Sequence, residues 1–147
     1  MALRDKLRQV IGIKDSPRKI ALSFGIGVFL GMSPLLGLHT ILGIVLAWGL
    51  RLNKFVTIVG VYVTNPWTIV PIYTFATWLG ARLLGMDHIL PEIDWHNIGI
   101  PELIRDLEPI LPPFIVGTIF LGLTGGLLGY VIIYYAVIKQ RNSVNNQ

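Results

Sequence analysis

The chain has 147 residues, of which 53% are hydrophobic and 14% charged, with 16 Gly, 9 Pro and no Cys. A soluble globular domain carries about a quarter charged residues, so the charge here is roughly half of that; the composition excludes a disordered segment, a disulfide-stapled module and an ordinary soluble enzyme. Together with a mean hydropathy of +0.66 it predicts a small integral membrane protein. Without Cys there is no thiolate metal site, thiol nucleophile or disulfide.

The net charge of +4 matters less than its distribution. Arg4, Lys6, Arg8, Lys14, Arg18 and Lys19 precede the first apolar run, Arg51 and Lys54 follow it, and Lys139 and Arg141 follow the last. Six of the eight acids, Asp87, Glu92, Asp94, Glu102, Asp106 and Glu108, fall between the second and third runs. A nucleic-acid-binding surface would not interleave its cations with runs this apolar, so no nucleic-acid partner is expected. The pattern follows the positive-inside rule.

In chain order, residues 1–15 form a basic arm in which Leu3, Leu7, Val10 and Ile11 recur at helical spacing. Such an arm is either an amphipathic helix on the inner leaflet or a solvated basic tail. A charged lead this long, with no convincing small-residue cleavage site, does not read as a cleavable signal. Ser16-Pro17 predicts a helix start, with Ser as the cap and Pro in the first turn. The run 20–50 has 31 uncharged residues, about 46 Å as one helix against roughly 30 Å of hydrocarbon. It contains its own breaker, Ser33-Pro34-Leu35-Leu36-Gly37: Pro34 removes a helical hydrogen bond and Gly37 permits a turn. Cations flank both outer ends, so a re-entrant hairpin is expected, and a single long kinked helix is the competing reading.

The segment 55–85 breaks at Thr64-Asn65-Pro66-Trp67-Thr68, with Pro71 a turn later. The acidic stretch 86–113 is cut by prolines at 91, 101, 109, 112 and 113 and predicts short interfacial helices or an ordered external cap. Residues 114–138 predict one clean C-terminal transmembrane helix, ending in Tyr134 and Tyr135 at the interface and Lys139 and Arg141 beyond it. The expected fold is all-α: a single polytopic domain of the bacterial inner membrane with two broken or re-entrant segments and both termini cytoplasmic.

The two breaks carry the functional signal. Non-helical backbone at membrane depth survives only inside protein or beside a watery cavity, and half-helix N-termini near the midplane can receive an anion. Ser33, Pro34, Gly37, His39 and Thr40 would build one side of such a site and Asn65, Pro66 and Thr68 the other, with Arg51 and Asn53 at the inner mouth. The bland alternative is a pair of kinks whose freed groups are satisfied by Ser33, Thr40, Thr64 and Thr68. His39 is the one titratable side chain well inside an apolar run, either a pathway residue or a neutral imidazole bonding a freed carbonyl. Gly27 and Gly31, and Gly122, Gly126 and Gly129, read as packing seams, which predict close helix pairs or a homo-oligomer. His88 and His96 lie among acids at a spacing that makes no metal site; no metal, cofactor or catalytic constellation is read.

These motifs resemble a bacterial membrane family, the domain of unknown function numbered twenty sixty-two. Ser16-Pro17, Gly27-x-x-x-Gly31, Pro34-Leu35-Leu36-Gly37-Leu38-His39-Thr40, Arg51-Leu52-Asn53 and Asn65-Pro66-Trp67-Thr68 occur in the family's order over about residues 10–135. The resemblance implies an inner-membrane protein, attached in some relatives to glycosyltransferase-like domains. The family pattern commonly has Gln where this chain has His39, so it implies no family-wide protonation role there. The paired breaks are also similar to those of membrane families suspected of moving lipid carriers or small ions, an analogy of fold alone.

The leading expectation is therefore a small transporter or flippase-like protein, not an enzyme, with a midplane site for an anionic or polar group such as a lipid phosphate. Its expected partners are membrane lipids, a second copy of itself and a glycosyltransferase. An ion or water channel and a scaffold for an envelope-glycan enzyme are the alternatives. In a chain without native Cys, thiols introduced at positions 36, 66 and 95 each report their own depth and side. Trp95→Cys in intact cells is expected to react with a membrane-impermeant reagent; labelling only after lysis would reverse the topology.

Overall fold

A computed structural model describes residues 3–35, 37–87 and 99–145, and among these the chain is helical with no strand. The helices are α1 (Leu3–Ile11), α2 (Pro17–Met32), α3 (His39–Gly49), α4 (Lys54–Val61), α5 (Ile69–Leu83), α6 (Ile100–Leu107) and α7 (Leu111–Asn145). Ser16 caps α2 by accepting from the Lys19 amide at 3.3 Å, with Pro17 in the first turn. Asn53 caps α4 through its Oδ1, which accepts from the Val56 amide at 3.2 Å. The described prolines of the acidic stretch lie in the first turns of short helical pieces and of α7. Pro101 opens α6, Pro109 sits in a 3₁₀ turn, and Pro112 and Pro113 lie in the first turn of α7. An amide in the first turn has no helical acceptor, so Pro loses nothing there. The helix that follows is longer than the predicted span. His88, Pro91, Glu92, Asp94 and His96 lie outside the described residues, as does Leu36.

α7 is the ruler of the structure. Gly126 faces Gly25, Gly122 faces Phe29, and the Arg141 guanidinium donates to the Ile13 carbonyl at 3.0 Å, so α2 runs antiparallel along the C-terminal half of α7. Gly117 faces Ala76 and Gly80 faces Pro113, so α5 runs antiparallel along the N-terminal half. Two short helices thus divide one long one between them. The last residue of α2, Met32, meets Gly122 and Gly125. By helical rise that level is about 28 Å from Arg141 and about 13 Å from Pro113.

α4 lies on the other side of α2 and parallel to it: Asn53 pairs with Ser23, Gly27 with Thr57, and Gly31 with Val61. α3 returns antiparallel between them, with Gly43 near Leu30 and Val61. The chain therefore turns back between α2 and α3, with Gly37 at positive φ. The core lies at the basic end, where Val10, Ile20, Phe24, Val28, Val56, Val59, Ile133 and Val137 are buried together. α1 joins it instead of lying free: Val10 is fully buried, and the Lys6 ammonium stands 5.0 Å from the Tyr62 ring centre.

The glycine seams are internal to one chain. Gly27 and Gly31 abut the main chain of α4, while Gly122, Gly126 and Gly129 abut the opposite side of α2. Gly60, Gly80 and Gly117, which the sequence reading passed over, sit in contacts of the same kind. An oligomer accordingly gains no argument from these glycines. Outside the seams the surface is apolar: Ile41, Val45, Trp48, Leu123, Leu127 and Ile132 are exposed, a display that a soluble monomer seldom makes. Among the described residues one helical stretch, Ile104–Val144, is long and apolar enough to cross a membrane.

Gly27→Ala is expected to destabilise the protein by about 3 kcal/mol or more, because its methyl meets main chain that cannot give way. Gly122→Ala, whose methyl would lie 3.1 Å from the Phe29 carbonyl, should cost about 1 kcal/mol or less. Thermal unfolding in detergent measures both.

Candidate functional site

Two breaks in the helical backbone meet at one level of α7. The first follows α2. Ser33 is buried, its hydroxyl donates to the Leu30 carbonyl at 2.6 Å, and its own carbonyl accepts from the Tyr73 hydroxyl at 3.0 Å. Tyr73 stands edge-on to Phe114, with ring centres 5.1 Å apart, so one side chain links the first break to α5 and α7. Pro34 is half-buried. Gly37 is exposed at φ +81°, in the left-handed region that lets the chain reverse. α3 then begins at His39 without a side-chain cap.

The second break, between α4 and α5, spends its polar groups on itself. Asn65 Oδ1 accepts from the Trp67 and Thr68 amides at 2.9 and 3.1 Å. The Asn65 amide donates to Thr68 Oγ1 at 2.9 Å, and that hydroxyl donates to the Val63 carbonyl at 3.0 Å. This reciprocal arrangement works like a capping box. Asn65 and Thr68 thus hold the turn in shape, while Pro66 and Trp67 project outward, Trp67 90% exposed.

Against this near-complete satisfaction two atoms stand out. His39 Nδ1 and Thr64 Oγ1 are buried and, among the described residues, have no hydrogen-bond partner. Each belongs to one of the two breaks. His39 lies one turn before Gly43 on the same face of α3, and Gly43 meets Val61, three residues before Thr64. The antiparallel run of α3 past α4 therefore brings both residues to the same end of the α3–α4 pair. A buried polar group left unpaired costs about 1–3 kcal/mol, and native proteins keep few. The chemistry on offer is hydrogen bonding: an imidazole nitrogen and a hydroxyl can both donate or accept. Among the described residues no three His, Asp or Glu side chains cluster to hold a metal ion.

Asn53 and Arg51 lie apart from this junction, at the basic end. Asn53 Nδ2 donates to Asp15 at 2.7 Å, and the Asn53 amide donates to Ser23 Oγ at 2.9 Å. Lys19 pairs with the same carboxylate at 3.1 Å, and Arg141 donates to the Asp15 carbonyl. Asp15 thus clamps the α1–α2 turn, α2, the start of α4 and the end of α7. The sequence reading missed it, together with Thr64 as a site residue and Tyr73. Its signal was available: Asp15 is one of only two acids outside the acidic stretch, set among cations.

The hydrogen bond from Asn53, then that from Lys19, holds the Asp15 carboxyl below its usual range. A carboxyl lowered on folding stabilises the protein above its unfolded pKa, and that contribution is lost as pH falls through the lowered folded value. Asp15→Asn is expected to cost about 1 kcal/mol at pH 7. Its melting temperature should converge on that of the wild type as the pH drops below the carboxylate range.

The family described as an uncharacterized protein conserved in bacteria, DUF2062, matches residues 1–144, and the chain belongs to it. No curated protein matches the chain, and no solved structure does.

Proposed function

We propose that this protein is a multi-pass transporter or flippase-like protein of the bacterial cytoplasmic membrane, with its site at the facing breaks. α7 is the full crossing, α4 and α5 together are a broken crossing, and α2 with α3 is a re-entrant hairpin. The Arg141 contacts with Ile13 and Asp15 hold the two ends of the chain together, which supports both termini on one side. Lys14, Arg18, Lys19, Arg51, Lys54 and Lys139 flank that same end, which favours the cytoplasmic face.

One observation carries the reading: His39 Nδ1 and Thr64 Oγ1, at the two breaks, are buried polar atoms without a hydrogen-bond partner among the described residues. Lipid tails offer such atoms nothing, so a wet pocket or a polar cargo is the physical reason for keeping them. In this reading Ser33, Gly37 and Thr40 flank the site from the first break, and Asn65, Pro66 and Thr68 from the second. A phosphate or other polar headgroup accepts or exchanges hydrogen bonds with both atoms during passage. A low, saturable turnover is the corollary, whereas a channel would conduct without saturating.

The test is transbilayer movement of a headgroup-labelled anionic phospholipid in liposomes carrying the purified protein. Thr64→Val and His39→Ala remove Oγ1 and Nδ1, which have no hydrogen-bond partner among the described residues, so their melting temperatures are expected to stay near that of the wild type. Transport is expected to fall about tenfold or more, the worth of roughly 1.4 kcal/mol of lost hydrogen bonding. Two folded variants as active as the wild type would sink the site.

A further inference from the structure

Two helices end with the same backbone device, but with different residues at its strained position. At the end of α5 the Met86 amide donates to the Ala81 carbonyl at 2.9 Å, and the chain reverses through Gly85 at φ +69°. At the end of α3 the Leu52 amide donates to the Ala47 carbonyl at 2.8 Å, and the reversal passes through Arg51 at φ +54°. This is the Schellman closure, whose left-handed position glycine takes freely. Any other side chain is strained there. Arg51 is, among the described residues, the one non-glycine at positive φ, and it makes no ion pair. A strained position held by a charged residue points to a task for its side chain.

The surroundings specify that task. Ala47, Trp48, Gly49, Arg51, Leu52 and Lys54 line a concave pocket at the basic end of the bundle. Asn53, between the two cations, turns inward to Asp15 and Ser23, while Arg51 and Lys54 stay exposed. Lys54 also lacks an acidic partner among the described residues. Trp48 is 73% exposed beside them, and an indole with one apolar and one polar edge suits the headgroup boundary of a bilayer. Arg51 and Lys54 thus line one pocket together with Ala47, Leu52 and the exposed Trp48. That combination fits a phosphate carrying acyl chains: the anion on Arg51 and Lys54, the glycerol and upper chains against Trp48, Leu52 and Ala47.

We propose that Arg51, Lys54 and Trp48 form a site for the phosphate headgroup of an anionic lipid at the basic, cytoplasmic end of the protein. The site rests on the membrane reading above and deepens it: a resident or arriving anionic lipid would sit at the inner mouth of the same hairpin that carries His39.

The experiment titrates purified protein in zwitterionic detergent with phosphatidylglycerol, phosphatidylcholine or inorganic phosphate and follows the melting temperature. Phosphatidylglycerol is expected to stabilise the wild type saturably, and phosphatidylcholine and inorganic phosphate are expected not to. The double variant R51Q/K54Q should bind about thirtyfold more weakly, the factor given by roughly 1 kcal/mol per cation, and R51K/K54R should retain most of the binding. Arg82, which lies over Trp78 at 5.6 Å near the far end of α5, is the control, and Arg82→Gln should leave the affinity unchanged. Equal stabilisation by inorganic phosphate would make this a free-anion site and overturn the lipid assignment. Equal weakening by Arg82→Gln would reduce it to general surface charge and overturn it as well. Cell fractionation separates the two layers: protein absent from the membrane fraction defeats the membrane reading, whereas membrane protein with no preference for phosphatidylglycerol defeats this site alone.

Discussion

Main chain flanks α2 on two sides where most helices are flanked by side chains. On one side the carbonyls and Cα atoms of α4 lie against Gly27 and Gly31. On the other, Gly25 and Phe29 lie against the glycines of α7. Where backbones approach this closely, attraction comes from many small contacts summed over a long seam. The position of both breaks depends on this double seam. α2 ends where its glycine register with α4 ends, at Gly31 beside Val61, and the next turn of space belongs to Tyr73 of α5.

Ending a helix inside an apolar body leaves carbonyls and amides that must be satisfied nearby. The structure meets that demand with short-range devices: the Ser33 hydroxyl on Leu30, the Tyr73 hydroxyl on Ser33, and the Asn65–Thr68 exchange. Backbone polarity is thereby almost wholly absorbed. This is why His39 Nδ1 and Thr64 Oγ1 carry weight; they are side-chain atoms that a Leu or a Val could have replaced without disturbing either turn. The division of labour also reassigns Asn65, which builds the break more directly than it meets a solute.

The basic end works by different physics. There the polar groups reach water, a carboxylate can stay charged, and Asp15 collects bonds from Asn53 and Lys19 while its carbonyl takes Arg141. Such a hub ties four parts of the chain at the level where the hairpin opens. It leaves Arg51 and Lys54 facing outward, so the same few residues separate a structural interior from a charged exterior.

The helix starts and stops were legible in the amino-acid order because they follow local rules. Ser16-Pro17 begins a helix, Pro34 and Gly37 end and reverse one, and Asn65 with Thr68 caps another, each within about four residues of its partner. In the acidic stretch a proline opens a helix as readily as it stops one, and only the neighbouring turn decides which. Charge segregation along the chain was likewise sufficient to group Lys14, Lys19, Arg51, Lys54 and Arg141 at one end. What remained for the tertiary structure was the choice of partners. Nothing local tells Gly27 to face α4 and Gly126 to face α2, tells α1 to bury Val10, or pairs Asp15 with Asn53 thirty-eight residues away. Which buried polar atoms go unpaired is also settled only when every helix has taken its place, since an atom lacks a partner only with respect to all its neighbours at once.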